Sequence, residues 1–321
     1  MKSLRTIDPE GKKFLVRCDL DVLDSKGEIK EDFRLVSCVK TLNFILQGQG
    51  FAYICGHIGK TQEPNDIFST KKLKDFFLKH LVNENFELME NLRFDPREEK
   101  KDEEFAREIA LGKDYFVNES FATSHRDHSS ITLVPKLIPS FIGFHFEEEI
   151  ENLDYVRNAH RKPVSVLIGG AKIESKLPTI QNFLNIADYI LVGGRLMFEE
   201  SLKNNPKIII GTDHIDTKDI GPATIELFKK YINESKIIFW AGPLGNVEDK
   251  NYEKGSLEIA DIISKSGAYS VVGGGDTISF LDKHDLLGKF SFVSVGGSAM
   301  LEYLSTGKLV GIDAVLRNNN G

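Results

Sequence analysis

Arg34, His57, Lys60, Arg93 and Arg126 stand at strand ends or in loops of the first half of the chain, where a side chain is free to serve a ligand. Arginine carries a fixed fork of donors that matches carboxylate and phosphate oxygens, so five such cations brought together would form a pocket for a small anion. The second half offers a different tool. Gly169-Gly170, Gly193-Gly194, Gly273-Gly274-Gly275 and Gly296-Gly297 each follow an apolar run that reads as a strand. In open α/β sheets ligands bind beyond the carboxyl ends of strands, and glycine there lets backbone N–H groups and helix N-termini approach phosphate. One Gly-Gly pair is most simply a tight turn; four in one half-chain point to a shared anion site.

Lys172 and Lys176 lie four residues apart on the helix that follows Gly169-Gly170, so both face one side near its positive end. Two solvated lysines are the plain alternative. Asp276, after three glycines at a helix start, reads either as an N-cap or as a hard oxygen ligand for Mg2+ on a nucleotide. Standard nucleotide motifs do not account for these clusters. A Walker A loop needs a glycine five residues before the Gly-Lys pair, and ahead of Gly59-Lys60 that position is Ile54; no cluster satisfies Gly-x-Gly-x-x-Gly after a strand. His125 and His128 have a metal-like spacing, but Arg126 lies between them and no further ligand cluster accompanies them, which argues against zinc.

Positioning these groups requires a scaffold whose rhythm the sequence displays. Strands are expected at 14–18, 51–55, 86–89 and 115–117, alternating with helices at 33–47, 71–81 and 101–111 and a short helix at 131–138 closed by Pro139. A charged helix at 147–159, with Ile150, Leu153 and Val156 on one face, reads as a connector. A second alternating set follows, with strands at 164–168, 189–192, 236–240, 269–272 and 290–293 and helices at 175–186, 222–231, 257–264, 277–281 and 299–304. The expected fold is α/β, two doubly wound parallel-sheet domains joined by a hinge helix with a cleft between them. The first spans 1–150 and the second 151–305, leaving 306–321 as a C-terminal segment with the option of returning to the first domain; the last five residues read as a polar tail.

Length and composition agree with this plan. The 321 residues exceed one ordinary core, so two domains are the natural division. A net charge of −7 argues against a nucleic-acid binder, which needs clustered Lys and Arg. The sequence has no apolar run long enough for a membrane span and no signal peptide at its start, so a cytoplasmic protein is expected. Cys18, Cys38 and Cys55 are odd in number and lack Cys-x-x-Cys spacing, which points to buried free thiols.

Taken in order, the motifs resemble the phosphoglycerate kinase family over nearly the whole chain. They run through Asp19-Leu-Asp21, Glu31-Asp-Phe-Arg34, Gly56-His57, Glu90-Asn-Leu-Arg93 and Asn118 to His128, then Gly169-Gly-Ala-Lys172 to Lys176, Trp240 to Gly245, Gly273 to Thr277 and Ser294 to Gly297. The resemblance implies reversible phosphoryl transfer between 1,3-bisphosphoglycerate and Mg-ADP, giving 3-phosphoglycerate and ATP, by a monomer. It implies an acid site of Asp19, Asp21, Arg34, His57, Lys60, Arg93 and Arg126 on the first domain. On the second it implies a nucleotide site of Gly170, Lys176, Gly193, Gly194, Pro243, Glu248, Gly273, Gly274, Gly275, Asp276 and Thr277, with Glu248 at the ribose and Asp276 on the metal. Arg34, Lys172, Lys176 and the amide edges at Gly274 and Gly297 are expected to neutralise the moving phosphoryl group.

The chain also departs from the family pattern. Asp21 stands where Asn is usual, Lys60 where Arg is usual and Ala241 where Asn is usual, while Arg195 and Ser298 interrupt glycine clusters. Between Gly194 and Ile220 the family carries a further helix and strand, and here only a short run at 196–202 and an apolar one at 207–210 remain. A non-catalytic ligand-binding or regulatory relative is therefore the alternative reading, with a kinase for another small acid behind it.

Overall fold

The structure, a computed structural model, describes residues 3–170 and 173–318. Its contacts divide the chain into two units, Met1–Ile150 with Lys308–Gly321, and Glu151–Gly307.

The first unit runs β1 (Lys13–Arg17), α1 (Phe33–Gln47), β2 (Phe51–Cys55), α2 (Lys74–His80), β3 (Phe86–Leu88), α3 (Glu103–Ala110), β4 (Tyr115–Asn118), α4 (Val134–Leu137), β5 (Ser140–Ile142) and α5 (Phe144–Arg157), the last crossing into the second unit. Its five strands are all parallel, in the order β3-β2-β1-β4-β5. Alternate side chains of the central β1 leave by opposite faces. Phe14 and Val16 join Leu42, Ile45 and Phe77 in one cluster, whereas Leu15 packs with Phe105, Ile109 and Phe116 in the other. Both faces are thus covered, as a parallel sheet requires.

In the second unit the order is β6 (Val164–Ile168), α6 (Ile173–Phe183), β7 (Tyr189–Val192), β8 (Ile208–Ile210), β9 (His214–Ile215), β10 (Asp219–Ile220), α7 (Pro222–Glu234), β11 (Ile237–Ala241), α8 (Lys254–Lys265), β12 (Tyr269–Gly273), α9 (Gly275–Lys283), β13 (Phe292–Ser294) and α10 (Gly297–Thr306). Six parallel strands pair as β13-β12-β11-β6-β7-β8, with β9 and β10 as a separate antiparallel pair. Leu167, Trp240 and Val272 pack under Phe228 and Phe280 on one face, and Phe239 meets Phe183 on the other. A last helix, α11 (Val310–Asn318), belongs to the first unit and lies against β5, α4 and the turn at 129–133.

The α/β class with two parallel sheets is as expected, and the structure corrects several local readings. Strand β5 was hidden by its brevity and by complete burial, which removes any polar alternation. The short run at 196–202 lies in two separate 3-10 turns, Gly194–Phe198 and Glu200–Leu202, the first opening at Gly194 with φ +62°. Arg317 and Asn318, read as polar tail, are the last residues of α11. The three cysteines are free and buried. No helix among the described residues is long and apolar enough to cross a membrane.

Candidate active site

Within the first unit every strand of the sheet points its carboxyl end toward the same edge, and the loops leaving that edge carry the expected acid-binding residues. Asp19 and Asp21 follow β1, His57 and Lys60 follow β2, Arg93 follows β3 and Arg126 follows β4. Arg34 enters on the first turn of α1, which brings it to the β1 loop. Its Nη1 donates to the Asp21 carbonyl at 3.2 Å and lies 3.7 Å from the Asp19 carboxylate, while its Nε pairs with Glu31 at 3.0 Å.

The β2 loop is held from two directions. Asn91, 2% exposed, accepts from the Ile58 N–H and donates to the Ile58 and Phe68 carbonyls. Asp21 accepts from the Gly59 N–H at 2.7 Å. Arg93 donates to the Gly59 carbonyl and pairs through Nε with Glu99 at 2.7 Å. His57, buried between these segments, has Arg17 at one ring nitrogen and Arg126 at the other. The structure brings Asp19, Asp21, Arg34, His57, Arg93 and Arg126 together; Lys60 is exposed on the same loop.

Burial and like charge set the electrostatics of this edge. Burial, followed by Arg17, Arg93 and Arg126, drives His57 well below the ordinary histidine range, so the ring is neutral at pH 7. Burial and the neighbouring Arg93 and Arg17 also lower Arg126. Burial raises Asp19 against the pull of Arg34, and burial lifts Glu31 to about 7. The cations are crowded and the carboxylates reluctant to ionise, a balance that favours an incoming anion.

Three participants escaped the sequence reading. Arg17 is fully buried at the end of β1, and Ser130 and Glu98 are buried beside it. A charged residue closing an otherwise apolar strand run was the one available signal.

The second unit builds its edge from backbone. Gly169 and Gly170 follow β6, Gly193 and Gly194 follow β7, Gly242 to Gly245 follow β11, Gly274 and Gly275 follow β12, and Gly296 and Gly297 follow β13. Two of these turns touch directly: a Cβ at Gly242 would stand 2.2 Å from the Gly169 carbonyl oxygen, and one at Gly169 would stand 2.1 Å from that of Pro243. Trp240 Nε1 donates to the Gly242 carbonyl, and the Gly242 N–H donates to Thr277 Oγ1. Thr277 is therefore a strut under the β11 turn, wholly buried. Gly273 is buried as well, with Met300 Sδ 2.3 Å from where its Cβ would be.

The remaining members of the edge differ in exposure. A Cβ at Gly170, Gly275 or Gly297 would meet nothing within 4 Å among the described residues, so these three turns have open space beside them. Asp276 is exposed in the first turn of α9, Glu248 is exposed in the loop after β11, Pro243 is buried and Lys176 is half-buried on α6. Lys172 lies outside the described residues. An exposed carboxylate beside open glycine turns fits Mg2+, which is usually held by one or two carboxylates together with substrate phosphates.

Comparison with known proteins agrees with these features. The family model described as phosphoglycerate kinase matches residues 4–87, 76–216 and 199–308. A phosphoglycerate kinase of Mycoplasmoides gallisepticum is 31% identical, with 98% of each chain covered, in an alignment of 405 positions against the 321 residues here. That of Thermosipho africanus is also 31% identical, covering 98% of this chain and 97% of the relative. The chain therefore aligns end to end while omitting segments that its relatives carry. Among solved structures, phosphoglycerate kinase from Coxiella burnetii superposes with a TM-score of 0.86 at 26% identity, over 98% of this chain and 99% of that one. The Pyrococcus horikoshii structure gives 0.86 at 24% identity over both whole chains, a likeness of fold.

Proposed function

This chain belongs to the phosphoglycerate kinase family, and we propose that it uses the two edges described above to move a phosphoryl group reversibly between 1,3-bisphosphoglycerate and Mg-ADP, yielding 3-phosphoglycerate and ATP. The observation that carries the assignment is the convergence of Arg34, His57, Arg93 and Arg126 around Asp19 and Asp21 at the carboxyl edge of one sheet. A chain that is acidic overall has concentrated cations in one place, which suits a small acid carrying phosphate.

Arg34, Arg93, Arg126 and His57 bind the carboxylate and phosphate of the acid, with Lys60 at the rim, Asp19 holding Arg34 and Asp21 holding both Arg34 and the Gly59 turn. Gly170, Gly193, Gly194 and the turn at Gly274, Gly275 and Asp276 form the phosphate side of the nucleotide site, with Pro243, Gly273 and Thr277 buried behind it as support; Lys176 adds charge there, and Glu248 reaches the ribose. Asp276 would hold the magnesium ion, which when bound screens the charge of the nucleotide phosphates.

The reacting oxygens are a carboxylate and a nucleotide phosphate, already nucleophilic, so little proton transfer is needed and positioning with charge stabilisation does the work. Arg34, Lys172, Lys176 and the amides at Gly274 and Gly297 neutralise the transferring group. Excluding water protects the acyl phosphate from hydrolysis. We further infer a cytoplasmic monomer, on family precedent, which light scattering on the purified protein checks.

The deciding experiment is a coupled assay with 1,3-bisphosphoglycerate and Mg-ADP. Turnover establishes the reaction; binding of both ligands without turnover would instead favour a non-catalytic relative.

A further inference from the structure

The acid-binding role given to His57 above leaves open what orients its ring, and the buried groups behind it supply an answer that rests on that reading. The imidazole is 2% exposed. Nη2 of Arg17 lies 2.9 Å from Nδ1, and Nη1 of Arg126 lies 3.3 Å from Nε2. A neutral imidazole accepts at one nitrogen only, and an imidazolium at neither. Two guanidinium donors therefore compete for one acceptor.

Arg17 has the prior claim, because its guanidinium is fixed elsewhere. Its side chain is wholly buried, with Nη1 donating to the Cys18 carbonyl at 2.5 Å and Nε donating to Ser130 Oγ at 3.1 Å. Ser130 passes the contact on: its hydroxyl donates to Glu98 Oε1 at 2.5 Å and its backbone N–H to Oε2 at 2.9 Å. Both oxygens of Glu98 act as acceptors, the pattern of an ionised carboxylate; burial raises its pKa, and Arg17 and the two Ser130 donors oppose that rise. No carboxylate lies within ion-pair distance of Arg17 among the described residues, so the buried cation is balanced through the serine. Arg126 is partly exposed and has no comparable anchorage on this side.

We propose that Glu98, Ser130 and Arg17 are positioning residues that hold His57 in its Nε2–H tautomer, so that the ring N–H and the Arg126 guanidinium converge as two donors on one oxygen of the acid substrate. With Nδ1 committed to Arg17, the proton resides on Nε2, facing the edge where Asp21 and Arg126 lie. Asp21 Oδ2 stands 3.9 Å from Nε2, on the same side and beyond hydrogen-bond length. Two donors side by side without a shared acceptor repel each other mildly, and an anionic oxygen resolves that. The depression of the ring's basicity by burial and by Arg17, Arg93 and Arg126 keeps it a neutral donor across the working pH range.

Long-range proton–nitrogen NMR on histidine-labelled protein at pH 7, with His57 assigned through His57→Gln, reads the tautomer directly. The wild type is expected to show a single Nε2–H form. Ser130→Ala is expected to populate the Nδ1–H form and to raise KM for 3-phosphoglycerate about tenfold, the scale of one charge-assisted hydrogen bond, with KM for ATP unchanged; Ser130→Thr, which keeps a hydroxyl, restores both. Glu98→Gln gives the same shift if Ser130→Ala does not fold. An Nδ1–H form or an imidazolium in the wild type overturns the proposal, as does a tautomer indifferent to both substitutions. An Nε2–H form lost in Ser130→Ala, in a protein without kinase turnover, upholds the relay and removes only the functional reading.

Discussion

The carboxyl edges of the two sheets are built by opposite means. The first unit lines its edge with side-chain cations, buried at Arg17 and Arg93 and partly buried at Arg34, each tied to a carboxylate directly or through a hydroxyl: Arg34 to Asp19 and Glu31, Arg93 to Glu99, Arg17 through Ser130 to Glu98. In the second, the turns press backbone against backbone and the edge carries glycines where the first carries cations. Buried side-chain charge gives directional recognition of a particular small acid but needs compensating partners. Backbone amides carry no net charge, need glycine, and suit a phosphate chain common to many ligands. A specific acid on one side and a general phosphate carrier on the other is the division of labour expected of this family.

The sharpest break falls on the charged side. Arg34→Ala should raise the barrier to transfer by about 2.7–4 kcal/mol, the scale of one preorganised donor, and Lys172→Ala by the same order. Steady-state turnover measures it, and a loss smaller than about fivefold would remove these residues from the chemistry.

On the glycine side, the contrast is between a packed turn and an open one. Gly242→Ala places a Cβ 2.2 Å from a carbonyl oxygen at φ +96°, so stability should fall by about 1–3 kcal/mol. Gly275→Ala meets nothing and should gain about 0.4–1 kcal/mol of stability by restricting the unfolded chain, while weakening nucleotide binding through the added methyl group. Urea denaturation together with ADP titration separates the two; equal destabilisation would erase the distinction.

A third test concerns the start of α5, where His145 sits among Glu119, Glu148 and Glu149. Burial opposes the charge on His145, yet Glu148 and Glu149 raise it to about 10. Its stabilisation is complete below the unfolded value near 6.5 and is lost as pH rises through about 10. His145→Gln should cost about 1.5–3 kcal/mol at pH 7 and little at pH 10.5, by denaturation at the two pH values. The smallest expected effect is on base selectivity. Only two 3-10 turns and a three-residue strand fill 194–210, so ADP, GDP and pyrophosphate should differ modestly in affinity by calorimetry; tight, adenine-selective binding would contradict it.

Much of this comparison is written in the chain itself. The glycine pairs are visible as pairs, and the β-branched runs before them mark strand ends, so the glycine-rich edge follows from local spacing. The helix at Phe33–Gln47 and the strands at Phe51–Cys55 and Val164–Ile168 fall where their periodicity places them, because each buries its own regular pattern. Short elements were less legible: β5 and the β9–β10 pair are two or three residues long and exist only by pairing with a neighbour.

Residue types and their order determined the family, the alternating scaffold and the cations of the acid site, since those depend on composition and near-neighbour spacing. Tertiary structure alone decided which of these groups touch. Arg17 and Ser130 are 113 residues apart, His57 and Arg126 are 69, and no local pattern predicts that a parallel sheet will draw its loop ends to one edge and bury a guanidinium behind a histidine. Contacts at that separation are set by strand order and register, which emerge only when the whole sheet closes its core.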